Sequence, residues 1–414
     1  MSAVVHTSKY CPKVFPYKGT AVPTEIDRAQ ELTSTPDLSR DKVNELGTVG
    51  VVGYIKNIPN VPVTLRQNEY GSMEFFNQLA NQSLASTSVE MTDFKTSQIN
   101  IAGYITDEDN TFLFTRWYPN LRLSSFTLNM SAPDALIERT FNFVGEDRID
   151  YQGTNKYLIY LTDTMAGGDN ETIVIGSGDF ADYPAPVVDP NISNSYFDRI
   201  TRERSGVVTE LSLTTDYTYN SGSTTITILD TEEGDVIKAY YTASSYITDA
   251  TPFTSNTTDL AGIRGDCVSI YMGSGNYLYR LQNASVEVTF DRNDVKELGN
   301  SEVVARGVNT ITTKVTLGRI VETLTLPEIL SGQSADYAKI DIREFATDIV
   351  FYVYIYANST KSASDFLLGM KLKDLAPTSL DDSAPVETHL TEGNTLEGEE
   401  AIIADNTTEL TNWS

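Results

Sequence analysis

The chain has 414 residues, with 57 acidic against 30 basic side chains and a formal charge of −27. That balance repels polyphosphates and anionic bilayers, so it argues against a protein that grips nucleic acid or a membrane surface through charge. A hydrophobic fraction of 40%, with 10% aromatics, is enough to fill a core, so most of the chain is expected to fold.

Cys11 and Cys267 match no paired-ligand spacing, which excludes a thiolate zinc centre and a disulfide framework. The two histidines, His6 and His389, lie near the chain start and in an acidic stretch, poor places for a histidine-centred triad. No apolar run has the length of a secretory or membrane-spanning segment, so a soluble chain made in the cytosol is expected. The acidic surplus is local. Residues 166–260 hold 15 acids and 4 bases, and residues 374–414 hold 10 acids and no base. Composition thus divides the chain into an extended N-terminal arm (1–47), a main β domain in two parts (48–165 and 261–373), an inserted module (166–260) and an acidic C-terminal tail (374–414).

The arm is rich in Pro, Thr, Lys and Glu without periodicity. Ser72 can cap a short helix in MEFFNQLANQ, where Phe76, Leu79 and Ala80 share a face. From Gln98 the pattern becomes β: Ile99, Ile101, Tyr104 and Ile105, a polar turn at 107–110, then Phe112, Phe114 and Trp117 predict a hairpin. The turn lacks the glycine and distal glutamate of a calcium loop. Leu121 to Met130 alternates with a phase slip at Ser124 and Ser125, the mark of a bulge. Ser131 and Asp134 fit a capping pattern, which predicts a helical turn before Leu136 and Ile137. Strands resume through Phe141, Phe143 and residues 157–161.

Within 166–260, Leu211, Leu213, DYTYNSGSTTITI and VIKAYYTA alternate as in a small Ig-like β-sandwich, with a turn at Asn220, Ser221 and Gly222. Farther on, Val286, Val288 and Phe290 point one way, while Ser285, Glu287, Thr289 and Asp291 point the other. DRNDVKELGN reads as a polar connection to a strand in which Ile311, Thr313, Val315 and Leu317 alternate with Thr312, Lys314 and Thr316. Thr325 and Glu328 flank Pro327 as in a capping box, predicting a short helix. Asp348 to Tyr356 carries apolar or aromatic groups on both faces from Ile349 onward, as in a strand covered on both sides.

No phosphate-loop fingerprint occurs, and the GSG triplets at 176–178 and 273–275 read as turns. Carboxylates are plentiful, but no motif pairs two of them for acid–base work. No catalytic, cofactor-binding or metal-binding residue is assigned, and neither enzyme activity nor a cofactor is expected.

The series ASVEVTFDRNDVKELGNSEVVARGVNTITTKVTLGRIVETLTLPEIL resembles the tail tube proteins, or major tail proteins, of tailed bacteriophages. The likeness lies in a strand ending in FDR, a loop with KELGN, a V-x-RG step and a new amphipathic strand. WYPNLRLSSFTLNMSAPDALIERTFNFVGED looks like the other strand pair of that family, with its switch to VGE. The resemblance implies a mainly β, tail-tube-type sandwich with short helices that adds strands to a hexameric β-barrel ring, carrying the Ig-like module as an insertion. It also implies a structural virion protein whose six-copy rings stack into a tail tube, the channel for DNA delivery. Ser285, Glu287, Thr289 and Asp291 would then face the lumen. Asp294, Lys296, Glu297 and Asn300 would lie in an inter-subunit loop. The implied partners are further copies, the tape measure protein and then DNA in the lumen without specific binding, the tail terminator, and baseplate or tail-tip proteins. A sheath is left open, and membrane binding is not expected. The implied location is the virion tail, after assembly in the host cytoplasm. Two other readings stand beside this one: a β-rich virion adhesin or glycan-binding protein, suggested by the tyrosine-rich insertion, and a β-sandwich hydrolase using two carboxylates.

Overall fold

Period-two alternation of apolar and polar residues runs through most of the chain, and the fold that results is mainly β and antiparallel. The computed structural model describes residues 10–16, 24–37, 40–43, 53–56, 60–106, 112–131, 134–145, 147–151, 157–168, 170–180, 185–188, 196–204, 207–243, 262–273, 276–295, 305–321, 325–331, 343, 345–383 and 390–413.

The first part comprises β1 (Tyr10–Pro16), β2 (Thr24–Glu25), β3 (Ala29–Ser34), β4 (Arg40–Val43), β5 (Gly53–Lys56), β6 (Val61–Asn68), helix α1 (Glu74–Leu79), β7 (Ser88–Glu90), β8 (Ile99–Thr106), β9 (Phe112–Ser131), β10 (Glu138–Gly145) and β11 (Ile149–Tyr151). The middle holds β12 (Tyr157–Thr164), β13 (Glu171–Val174), β14 (Phe197–Arg204), β15 (Val207–Glu210), β16 (Tyr217–Asn220), β17 (Thr225–Ile228) and β18 (Val236–Ala243). The last part comprises β19 (Val268–Met272), β20 (Asn276–Tyr277), β21 (Leu281–Val295), β22 (Ala305–Ile320), α2 (Thr325–Ser331), β23 (Ile349–Tyr356), β24 (Phe366–Ser383), β25 (Thr391–Gly398), β26 (Glu400–Ala404) and α3 (Thr407–Asn412).

The first and last parts are two copies of one unit. In the first, β3, β6, β10 and β9 lie side by side in that order, and α1 follows β6. In the second, β21, β22, β25 and β24 repeat the order, and α2 follows β22. In each copy the longest strand crosses between two sheets. The start of β9 joins β2, β1, β8 and β11, and the start of β24 joins β20, β19, β23 and β26.

Local geometry repeats as well. Arg28 and Arg280 have positive φ, 54° and 61°, and their carbonyls accept from Asn68 N and Ile320 N, both at 3.2 Å. The following Gln30 and Gln282 each sit at a register shift. Val63, Thr64 and Leu65 recur as Val315, Thr316 and Leu317, with matching faces. Where the long strands change sheets, Asn120 and Asp374 both have φ 52°. Just beyond, Ser124 and Thr378 are bulged, and their hydroxyls donate to Asn142 O at 2.9 Å and Thr395 O at 3.3 Å. Gly145 and Gly398 complete the set. A Cβ on either would stand 2.7 Å from Leu121 or 2.9 Å from Leu375, the leucines after the two positive-φ residues.

The two inner sheets join through β9 and β21 into one eight-stranded sheet. Its apolar face, with Phe126, Phe141, Val286, Val288 and Leu317, packs with the other sheets and α1 into one core. Two charged pairs are sealed in that layer at matching cross-strand positions. Arg139 opposes Gln67 and reaches Glu69, with Nε 3.5 Å from Oε2 and both side chains fully buried, while Glu392 opposes Arg319 and contacts it directly.

The middle strands form sheets β12-β18-β14-β15 and β13-β17-β16 around a second core. That core includes Tyr104 of β8 and Trp117 of β9, so the small sandwich is packed onto the first copy.

Several expectations need correction. The small sandwich begins at β12, ahead of residue 166, and it lies between two complete copies of the unit instead of interrupting one. The expected acidic tail, residues 374–414, is built into the second copy as the end of β24, β25, β26 and α3. Polar Glu392 and Asn394 stand at inward positions there and hid the alternation. The expected N-terminal arm supplies β1 to β3 of the first copy. Between Ser131 and Ile137 the described residues form no helix, because Ile137 is held extended by backbone bonds to Ile263 and Glu69.

Candidate functional site: the polar face of the eight-stranded sheet

The sequence placed Ser285, Glu287, Thr289 and Asp291 on one side of a strand. The structure puts all four on the solvent side of β21, with Val286, Val288 and Phe290 buried behind them. Antiparallel pairing extends that side across the sheet in three polar rows. One row runs Ser379, Thr395, Thr316, Ser285, Asn129, Glu138, Asn68. The next runs Glu397, Lys314, Glu287, Thr127, Thr140, Arg66, Glu31. The third runs Thr312, Thr289, Ser125, Asn142, Thr64, Thr33.

Hydroxyl and amide groups tie neighbouring strands on this face. Thr64 Oγ1 donates to Asn142 Oδ1 at 2.8 Å, Asn142 Nδ2 to Ser125 Oγ at 2.9 Å, and Ser285 Oγ to Asn129 Oδ1 at 3.0 Å. Arg66 bridges Glu138 at 2.9 Å and Glu31 at 3.2 Å, and those carboxylates, Glu138 foremost, raise the guanidinium pKa. Lys314 stands between Glu287 and Glu397 in the register. Across the three rows, the carboxylates of Glu31, Glu138, Glu287 and Glu397 outnumber the cations of Arg66 and Lys314, and no row carries an aromatic ring. Such a face is hydrated and weakly negative. It gives a polyanion only two cations, each set between carboxylates, and no ring to stack on.

The loop expectation fares differently. DRNDV, read as a connection, continues β21, and Asp294 pairs with Arg306 of β22 in the ladder. Lys296, Glu297 and Asn300 lie outside the described residues. Sequence reasoning missed Arg66, Glu31, Glu138 and Glu397. The alternation of VPVTLRQN, buried and half-buried in turn, carries a signal that could have found the β6 member. Among the described residues no cluster of His, Cys, Asp and Glu is arranged to hold a metal ion, and no helix is long and apolar enough to cross a membrane.

No family model and no curated protein matches this chain. Among solved structures, a chain of the anti-feeding prophage baseplate, from a 6-fold symmetrised cryo-EM structure, is similar at 13% identity. The match covers 37% of this chain and 98% of that one, with a TM-score of 0.28, too low to carry weight on fold or role.

Proposed function

We propose that the chain is a structural protein of a virion tail, and that its polar sheet face lines a channel through which DNA passes. The observation that carries this reading is the three-row polar face: wide, hydrated, slightly negative and backed by a continuous apolar core. A wall of this kind lets a duplex slide without holding it. Among the described residues the sheet has two ends, so the channel requires further copies of the chain, because closure removes edges that would otherwise aggregate. The other partners of this role are a tape measure protein that occupies the bore before DNA, and terminator and tip or baseplate proteins at the ends.

Electron microscopy of the purified full-length chain tests the reading. Rings or tubes with a central bore are expected, and a protein that stays monomeric at every concentration overturns it. Within assembled particles, Glu287→Lys is expected to leave tube length unchanged and slow DNA release by adding a cation to the wall. Release at the unmodified rate would remove Glu287 from the lining.

A further inference from the structure

We propose that the two open edges of the eight-stranded sheet, β3 and the second half of β24, pair with each other between copies of the chain, repeating in trans the junction that β9 and β21 make in cis. The duplication carries the argument. β24 is the counterpart of β9, and β3 is the counterpart of β21. Strand directions alternate across all eight strands, so β24 of one copy meets β3 of the next antiparallel, as β9 meets β21.

The cis register transfers directly. Glu287 faces Thr127 and Thr289 faces Ser125. Their counterparts place Thr35 opposite Asp381 and Asp37 opposite Ser379, and both Thr35 and Asp381 are exposed. The bridge between Asp37 and Asn60 prolongs β3 as Thr289 and Thr312 prolong the equivalent pairing. Asp37 exchanges both backbone bonds with Asn60, so Pro36 and Ser34 turn their backbone nitrogens toward the open edge. Pro36 lacks a donor, which leaves the Ser34 N–H to carry the pairing beside it.

The register also fits a closed barrel. The row that starts at Glu287 reaches β3 at Glu31, four residues before Thr35, the counterpart of Glu287. The row from Thr289 reaches Thr33, again four residues before its counterpart Asp37. A stagger of one residue per strand, with a rise of ~3.3 Å and a spacing of ~4.8 Å, gives a strand tilt of about 35°, inside the range closed barrels require.

The count of chains rests on the conduit reading. A ring of six tube units was expected from six copies, but each chain supplies two units, so three chains complete it. The barrel would measure about 45 Å across at the backbone.

Cysteines at Thr35 and Asp381 test the pairing in the full chain, since directly opposed strand positions lie within reach of a disulfide. Oxidised T35C/D381C should form intermolecular bonds that neither single variant nor the unmodified chain forms, ending in a cyclic species of three chains by non-reducing gel and mass spectrometry. Ser34→Pro should abolish rings while far-UV circular dichroism is unchanged, and Ser34→Ala should keep them. Rings without linkage specific to the double variant overturn the pairing and leave the conduit standing. A closed species of another size overturns the count. Linkage into open chains, with no closed species, supports the pairing and removes the conduit.

Discussion

Arg139 and Glu69 show how costly a single side chain is in this core. Glu69 Oε1 accepts from the backbone of Tyr70 at 2.9 Å and Gly71 at 2.7 Å, and the Arg139 guanidinium lies 4.8 Å from the Tyr70 ring centre. Arg139→Leu would leave a buried carboxylate without its partner and is expected to cost about 3–5 kcal/mol in urea unfolding. Removing both charges, as Arg139→Leu with Glu69→Leu, should recover most of that loss. Asp150 sets a pH dependence. Partial burial pushes its carboxyl up, but hydrogen bonds from Arg116 and Arg148 outweigh that and hold it at about 2. A carboxyl depressed in the folded state contributes stability above its unfolded pKa of about 4, and the contribution disappears as pH falls from about 4 toward 2. Asp150→Asn should therefore flatten the acid limb of a stability profile over that interval and leave its neutral part nearly unchanged in shape.

At the scale of elements, the bulges set which face each strand shows. Ser124→Ala removes one hydroxyl-to-carbonyl bond and should cost about 1 kcal/mol. Deleting Thr127, which is paired on both sides, should be far worse, because a one-residue slip turns the rest of β9 inside out, and insoluble protein on expression would show it. The phase slip at Ser124 and Ser125 was legible in the sequence, as were the faces of β21 and β22, the hairpin around Ser221, and both short helices after strands. Other features were not. The helical turn expected at Asp134 rested on a local pattern, while backbone bonds from distant segments decide that stretch. The acidic tail was misread because the ion pair that buries Glu392 is formed with Arg319, far away in sequence. The duplication escaped notice because few residues mark it: Arg28 and Arg280, Gln30 and Gln282, a Val-Thr-Leu run, and Gly145 and Gly398. What the copies share most closely is left-handed backbone and bulge position, which many residue types can satisfy.

For the whole molecule, the small sandwich is fastened by Trp117 and Tyr104, which share its core. Trp117→Ala should free that module, costing about 3–5 kcal/mol and exposing residues 157–243 to limited proteolysis. The three polar rows lie on another sheet, so ring formation should survive the change. The candidate wall was half legible beforehand: its β21 members followed from alternation, whereas the rows joining them to β3 and β25 depend on long-range register that composition does not encode.

Fusing two units in one polypeptide also frees each to change. Where every protomer is identical, any surface substitution is repeated at every position round a circle, so an outgrowth must suit all of them. Here the halves have drifted apart, and among the described residues the sandwich is carried by the segment between them. In the proposed ring, decoration would therefore appear at alternate stations, giving the exterior room for bulkier attachments than an undivided circle of equal parts could hold.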